Sequence, residues 1–305
     1  MLNLAVEQTL NGLQLGVMLF LLAAGLTLIF GIMGVINIAH GSLYMVGAFL
    51  TAFTIARTGS YLLALVAGIG GAALAGMAME AAVMRRLYAR DHLDQVLATF
   101  GLSLCMNELF SLIFGQRPLY VAIPPLLDGS IQVVPGVPYP IYRLAIVVVG
   151  LAVALGLYLL ISHTRIGMLV RAGSTHRDIV RALGVDIRTL YTVVFGLGAL
   201  LAGLAGLMAG PIYTVQVGMG EQILILTFVV VVIGGLGSIR GAFLAAMIVG
   251  LVDTALRAVV PPWLKTFMEP SAADMLGGGL SSLGVYLLMA LVLLVKPKGL
   301  LPAHG

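Results

Sequence analysis

A polar interruption between two apolar runs holds residues that could handle a solute inside a membrane. Residues 30–42 read Phe-Gly-Ile-Met-Gly-Val-Ile-Asn-Ile-Ala-His-Gly-Ser, and Asn37, His40 and Ser42 supply hydrogen-bonding groups. Unpaired backbone groups in hydrocarbon are costly, so a broken helix must be buried in protein or line a wet cavity. Such breaks often build substrate pathways. The segment predicts either a broken helix beside a translocation path or an ordinary interhelical loop at the membrane face.

A second glycine-rich interruption occurs at residues 230–242, which read Val-Val-Val-Ile-Gly-Gly-Leu-Gly-Ser-Ile-Arg-Gly-Ala. Glycine permits tight turns and close helix packing. The segment therefore predicts either a gate or hinge, or a tight turn between antiparallel helices. The two interruptions also echo each other, as an internal repeat would. Their candidate glycines are Gly34, Gly41, Gly234, Gly235, Gly237 and Gly241.

Three carboxylates lie in or near apolar runs, where a charge is expensive and suggests function by default. Glu80 is close enough to Arg85 to pair with it, and Asp253 has Arg257 four residues on, on the same helix face. Glu108 has no local partner. It is either a pathway or ion-coupling carboxylate, or a structural group bonded across helices.

The segment 162–188 is basic and moderately polar. Ser174 or Thr175 could cap a short amphipathic helix with Asp178 in its first turn, and Gly184 could supply the left-handed residue that ends it. Such a helix would dock on a cytosolic protein or on the membrane surface.

The elements that carry these residues are transmembrane helices. The chain has 305 residues, of which 61% are hydrophobic and 9% charged, far from soluble-domain averages. We predict an all-α integral membrane protein, a polytopic bundle of about nine (eight to ten) transmembrane segments with broken helices, forming a single transmembrane domain over 1–305. Apolar stretches long enough to span lie near 9–31, 38–56, 61–84, 95–115, 141–161, 189–210, 222–238, 242–260 and 276–295.

Loop charges predict the orientation. Most of the 16 basic residues fall in loops on one side of a nine-span arrangement. By the positive-inside rule we place the N-terminus outside and the C-terminus in the cytoplasm. The proline-rich loop 116–140 is then external, and we expect an extended cap or docking surface without helix. The loop 162–188 is cytoplasmic.

Common catalytic and cofactor motifs are absent from the sequence. There is no GxxxxGK[ST] loop, HExxH, CxxC or GxSxG, and the histidines are scattered. We therefore expect no enzyme activity, no metal site and no cofactor in this chain. The net charge of +4 is explained by loop topology, and we expect no nucleic-acid partner.

Four segments together resemble the branched-chain amino-acid ABC transporter permease family, the Liv-type subunits of the inner membrane. They are residues 25–48 with their Asn-x-Ala-His-Gly break, the turn at 232–242, the segment 164–186, and the closing Lys-Pro-Lys-Gly-Leu-Leu at 296–301. The similarity spans nearly the whole chain.

The resemblance implies an importer subunit of the bacterial cytoplasmic membrane that takes up branched-chain amino acids or a related small polar or carboxylate solute. Its partners would be a second homologous permease subunit in a heterodimer, two cytosolic ATPase subunits that bind ATP and Mg, and an external or periplasmic binding protein. It implies that Asn37, His40 and Ser42 lie along the pathway, to which the intramembrane charge of Glu108, and not the resemblance, adds a fourth candidate. It also implies that the ATPase-coupling residues are His176, Arg177, Asp178, Arg181, Ala182, Leu183 and Gly184.

Three alternatives stay open at the level of sequence. A ribose-type sugar permease would share the broken helices, although that group carries Gly-Gly-Ile-Asp-Leu-Ser where this chain has residues 34–41. A stand-alone carrier driven by ions would use Glu108 and Asp253. An intramembrane enzyme would need a catalytic dyad, and His40 has no evident partner for one.

Overall fold

Helices account for nearly all of the regular structure. The computed structural model describes residues 2–175 and 184–302. The elements are α1 Leu2–Met33, α2 His40–Thr58, α3 Tyr61–Met79, α4 Arg85–Leu87, α5 His92–Phe114, β1 Ser130–Val134, β2 Val137–Pro140, α6 Ile141–His163, α7 Arg165–Thr175, α8 Ile187–Ala209, α9 Met219–Gly234, α10 Ile239–Leu264 and α11 Pro270–Val295. A π-helical turn, Glu80–Met84, joins α3 to α4, and Pro125–Leu127 form a short 3-10 turn.

Each of the nine apolar stretches coincides with a long helix, so the prediction of a helical membrane bundle is confirmed. Within the described ranges, seven helices are long and apolar enough to cross a membrane: α1, α3 with its continuation to Leu87, α5, α6, α8, α10 and α11. The others are α2, whose first two-thirds is almost entirely buried, and α9, which has 16 residues. At about 1.5 Å per residue, α9 is shorter than a hydrocarbon core of about 30 Å.

The chain folds into two compact units. One contains residues 1–20, 125–151 and 227–305, and the other contains residues 21–124 and 152–226. Helices α1, α6 and α9 contribute residues to both units.

The second unit is built on α2, α3 and α8, which pack against one another through small residues. A Cβ on Gly206 of α8 would lie 2.9 Å from the carbonyl carbon of Tyr44, and one on Gly47 would lie 2.5 Å from the Cα of Gly203. Glycine lets these backbones touch, which supplies packing where lipid removes the hydrophobic drive between helices.

The first unit contains the paired helices α10 and α11 and a β-hairpin. The loop expected to be extended contains a β-hairpin that was not predicted, in which β1 and β2 pair antiparallel around Pro135 and Gly136. Gly136 has a φ of +84°, which suits the second central position of a tight turn. Alternating residues on both sides of a Pro-Gly pair were the available sequence signal.

Candidate functional site

The helix break predicted within residues 30–42 is present and covers residues 34–39. Gly34 ends α1 with a φ of +67° and donates its N–H to the Phe30 carbonyl at 2.8 Å. Helix α2 then begins at His40. The backbone N–H of Ile38 donates to Thr99 Oγ1 at 3.2 Å, and Thr99 lies about two turns inside α5. The break therefore lies beside the body of a membrane-spanning helix, which favours a broken helix over a loop at the membrane face.

Two of the three pathway candidates from this break are completely buried. Asn37 and His40 each have no exposed surface, and neither amide atom of Asn37 has a hydrogen-bond partner among the described residues. The His40 imidazole lies against the backbone of Leu22. It also lies over Gly25, where an added Cβ would be 3.0 Å from His40 Nε2. An unpaired buried amide is costly in a dry site, so Asn37 marks a place for water or a polar solute.

A row of polar side chains on α5 faces the break. Gln95, Thr99, Ser103 and Asn107 recur every four residues, which places them on one helix face. Thr99 bonds to the break itself, and Ser103 Oγ lies 3.2 Å from Ser42 Oγ, the third pathway candidate. This spacing in an apolar helix was readable from the sequence, but sequence reasoning missed it.

The row ends at a carboxylate that sequence analysis did not single out. Glu221 lies in the first turn of α9, and its Oε1 accepts from Ser103 Oγ at 2.7 Å and from Asn107 Nδ2 at 2.5 Å. Gly220 beside it touches α2, since a Cβ on Gly41 would lie 2.8 Å from the Gly220 carbonyl carbon. Ser42, Ser103, Asn107 and Glu221, here called the carboxylate cluster, thus join the starts of α2 and α9 to the middle of α5.

Glu108 lies outside this cluster. It is exposed on α5, and no ion pair or hydrogen bond to it occurs within the described ranges. Its neighbour Asn107 bonds to Glu221 instead.

Both predicted local ion pairs are present. Arg257 Nε lies 2.8 Å from Asp253 Oδ2, and Arg85 Nη2 lies 2.9 Å from Glu80 Oε2. Glu80 is fully buried at the start of the π-helical turn and also accepts from Tyr88 and from Thr192 of α8. Burial, and then the nearby Glu80 charge, raise the pKa of the Tyr88 hydroxyl.

The second glycine-rich turn forms hydrogen bonds with the segment that follows α11. Helix α9 ends at Gly234, and Gly235 and Gly237 have φ values of +103° and +80° before α10 begins. Leu300 N–H donates to the Ile233 carbonyl at 2.8 Å, and Leu301 N–H donates to the Gly234 carbonyl at 3.1 Å. A Cβ on Gly241 would lie 2.7 Å from the Gly234 carbonyl carbon, so this turn is a close-packed corner.

Most of the predicted coupling residues fall outside the described residues, namely His176, Arg177, Asp178, Arg181, Ala182 and Leu183. Gly184 is described and has a φ of +84°, the left-handed conformation expected of it. The segment also contains an unpredicted helix, α7, which ends at Thr175.

The segment predicted to couple to an ATPase leads into α8 through Asp186. Asp186 caps α8 by accepting from the Arg188 N–H at 2.9 Å and from Thr189 Oγ1 at 2.6 Å. These hydrogen bonds hold the pKa of the Asp186 carboxyl below its ordinary value, and the bond from the Thr189 hydroxyl is the largest cause. An open cleft lies beside this cap, and its lining includes Glu80, Arg85, Arg188 and Tyr191.

The carboxylate of Glu221 and the unpaired amide of Asn37 are hydrogen-bonding groups of the kind that contact a polar solute. No group of three or more His, Cys, Asp or Glu side chains that could hold a metal occurs among the described residues.

Comparisons with known proteins indicate the same family over nearly the whole chain. Residues 8–294 match the family described as branched-chain amino acid transport system / permease component. The high-affinity branched-chain amino acid transport system permease protein BraD of Pseudomonas aeruginosa is 30% identical over 310 residues, covering 97% of this chain and 95% of that protein. The corresponding LivH protein of Escherichia coli is 28% identical with the same coverage. A probable LivH of Methanocaldococcus jannaschii is 28% identical over 250 residues, covering 78% of this chain and 77% of its own.

No solved structure shows significant similarity to the chain. The family match and the full-length relatives agree with the spans and the broken helix described above. The chain is a multi-pass membrane protein and belongs to the family of branched-chain amino acid transport permease components.

Proposed function

We propose that this chain is a permease subunit of an ATP-driven importer that carries branched-chain amino acids, or a related small polar or carboxylate solute, across the bacterial cytoplasmic membrane. The observation that carries the proposal is the match to BraD over 97% of this chain. The polar break beside a spanning helix, about two turns from the start of that helix, supports it, because transporters place solute sites at such breaks.

The proposed pathway follows the break and the row on α5. Asn37 offers two buried, unpaired amide atoms, and His40 and Ser42 begin the next helix. Glu108 would face the pathway only if its exposed side is covered by another subunit, since lipid is a poor environment for a carboxylate.

The proposed partners are a second homologous permease subunit, two cytosolic ATPase subunits with their ATP and Mg, and an external or periplasmic binding protein. Residues 176–184 would form the ATPase contact. Asp186 and Thr192 would carry a displacement of that segment into α8 and, through Glu80, into α3. ATP binding would favour one of two orientations of the spans by its differential affinity for them.

Co-purification tests the partner proposal. The tagged chain would be expressed with its chromosomal neighbours, extracted gently from membranes, and analysed for bound proteins. We expect ATPase subunits and a second permease to co-elute with the wild type. The double variant Gly184→Arg with Arg177→Glu should lose the ATPases alone, because it strains a left-handed residue and reverses a charge in the coupling segment.

The matched control is Gly115→Arg with Arg117→Glu. Gly115 also has a positive φ, of +81°, with open space around it, and Arg117 lies in the loop assigned to the outside. This control should keep every partner. A chain that elutes alone in the wild type and in both double variants would contradict the importer proposal.

A further inference from the structure

Glu221 carries a carboxylate that has no cationic partner among the described residues. Both hydrogen bonds that it accepts, from Ser103 and Asn107, go to Oε1. Oε2 accepts no hydrogen bond from any described residue, and the side chain is partly exposed. No Lys, Arg or His nitrogen of the described ranges lies within ion-pair distance of it, whereas Glu80 and Asp253 each have an arginine.

The depth of Glu221 makes this absence significant. Ser103 is the central residue of α5, which is long and apolar enough to span the membrane. Its bond partner Glu221 therefore lies beside the middle of this spanning helix. A carboxylate at this depth is expensive and normally pairs with a cation or lines a solute or ion path.

The geometry presents one oxygen to a visiting group. Ser103 and Asn107 fix Oε1, so that Oε2 is oriented by neighbours on a rigid helix. Gly218, with a φ of +85°, lies next to Oε2, which would be 3.4 Å from a Cβ added there. A hard metal ion would need about six oxygen ligands, but the cluster offers a single carboxylate among hydroxyl and amide groups.

We propose that Glu221 binds the ammonium group of the transported solute, with Oε2 as the acceptor and Ser103 and Asn107 as positioning residues. A primary ammonium brings positive charge and three N–H donors, and a charge-assisted bond to a carboxylate is among the stronger hydrogen bonds. This inference rests on the proposed function, because it names the group of a transported amino acid that the pathway binds.

Probe binding tests the inference directly. The permease–ATPase complex, without the binding protein, would be placed in nanodiscs and studied by saturation-transfer NMR. The probes are leucine, 3-methylbutylamine, which keeps the ammonium and lacks the carboxylate, and 4-methylpentanoate, which keeps the carboxylate and lacks the ammonium. We expect leucine and the amine to bind the wild type, and Glu221→Gln to weaken both by about 10- to 100-fold while leaving the 4-methylpentanoate signal unchanged.

Two further variants separate a binding role from a structural one. Glu221→Asp keeps the charge at a shorter reach and should retain part of the amine binding, which covers the case in which the glutamine variant folds poorly. Glu269→Gln removes an exposed carboxylate that caps nothing at the start of α11, and it should behave as the wild type. Unchanged amine binding in Glu221→Gln, or an equal loss of the amine and the pentanoate, would overturn the inference.

Leucine uptake measured on the same complex, with the binding protein restored, separates this inference from the proposed function. If the wild type takes up leucine and Glu221→Gln lowers that uptake about tenfold or more, the result supports both this inference and the proposed function. A wild-type complex that takes up no amino acid contradicts the proposed function, and the role of Glu221 is then decided by the amine probe alone.

Discussion

Three glutamates in or beside the spans differ in what surrounds them. Glu80 is buried and bonded by Arg85, Tyr88 and Thr192, so its charge is neutralised and its position is fixed. Glu221 has two neutral donors and no cation within the described ranges. Glu108 is exposed. At the scale of single residues, these surroundings assign Glu80 to structure and make Glu221 the candidate for solute contact.

Glu80 should be important for stability. Glu80→Gln leaves Arg85 without its counter-charge and weakens the bonds from Tyr88 and Thr192, so we expect a loss of about 2–4 kcal/mol in the free energy of unfolding in mixed micelles. Asp274→Asn removes an exposed pair with Lys265 and should cost less than about 1 kcal/mol. Equal losses in the two variants would contradict the structural role of Glu80.

Asp186 should make the start of α8 sensitive to acid. Its folded pKa lies below the unfolded value, so its capping contribution is fully present above the ordinary aspartate pKa of about 3.9 and is lost as the pH falls through the lowered folded value. A carboxyl titration followed by NMR should show a midpoint below the ordinary value. Thr189→Val removes the largest cause and should raise that midpoint, and an unchanged midpoint would argue against the cap.

Residue contacts were predictable where they are local. The Asp253–Arg257 pair follows from helix geometry, because residues four apart share a face. The bonds from Ser103 and Asn107 to Glu221 join residues 118 and 114 positions apart, and only the packing of α5 against α9 brings them together. Periodicity could have revealed the row on α5, but it could not name the carboxylate that the row meets.

At the scale of elements, glycine determines how closely α2, α3 and α8 approach. The backbone of Tyr44 in α2 contacts Gly206 of α8. The Cβ of Ala72 in α3 lies so close to Gly203 that an added Cβ would clash with it. The helices and their breaks were predictable from apolar length and glycine content. The hairpin was missed, because the prolines of that loop were interpreted only as evidence against a helix.

A single methyl group at this interface should therefore be disruptive. Gly206→Ala places a Cβ against the backbone of Tyr44, which has no room to yield, and we expect a loss of about 1–3 kcal/mol in the free energy of unfolding. Gly70→Ala, in α3 with open space around it, should be neutral or stabilising by up to about 1 kcal/mol. A tolerated Gly206→Ala would contradict the close packing of α2 on α8.

At the scale of the whole molecule, three helices contribute residues to both units, and the loop charges predict an orientation of the chain in the membrane. The proposed orientation puts the hairpin loop outside and the loop after α4 in the cytoplasm. Cysteine labelling tests it, because Cys105 is the single native cysteine and can be replaced by serine. An impermeant maleimide should label Asp128→Cys on intact cells and label Arg90→Cys only after permeabilisation. The reverse pattern would invert the topology.

The measurement that tests the central claim most directly is ATP-dependent uptake of leucine by the reconstituted complex. Proteoliposomes would contain this chain, its partner permease and the ATPase subunits, with the binding protein added outside. We predict uptake that requires ATP and this chain, and that stops when the ATPases carry a hydrolysis-deficient substitution. Uptake that persists without the ATPases and follows an imposed proton gradient would contradict the importer assignment and would identify the chain as an ion-coupled carrier.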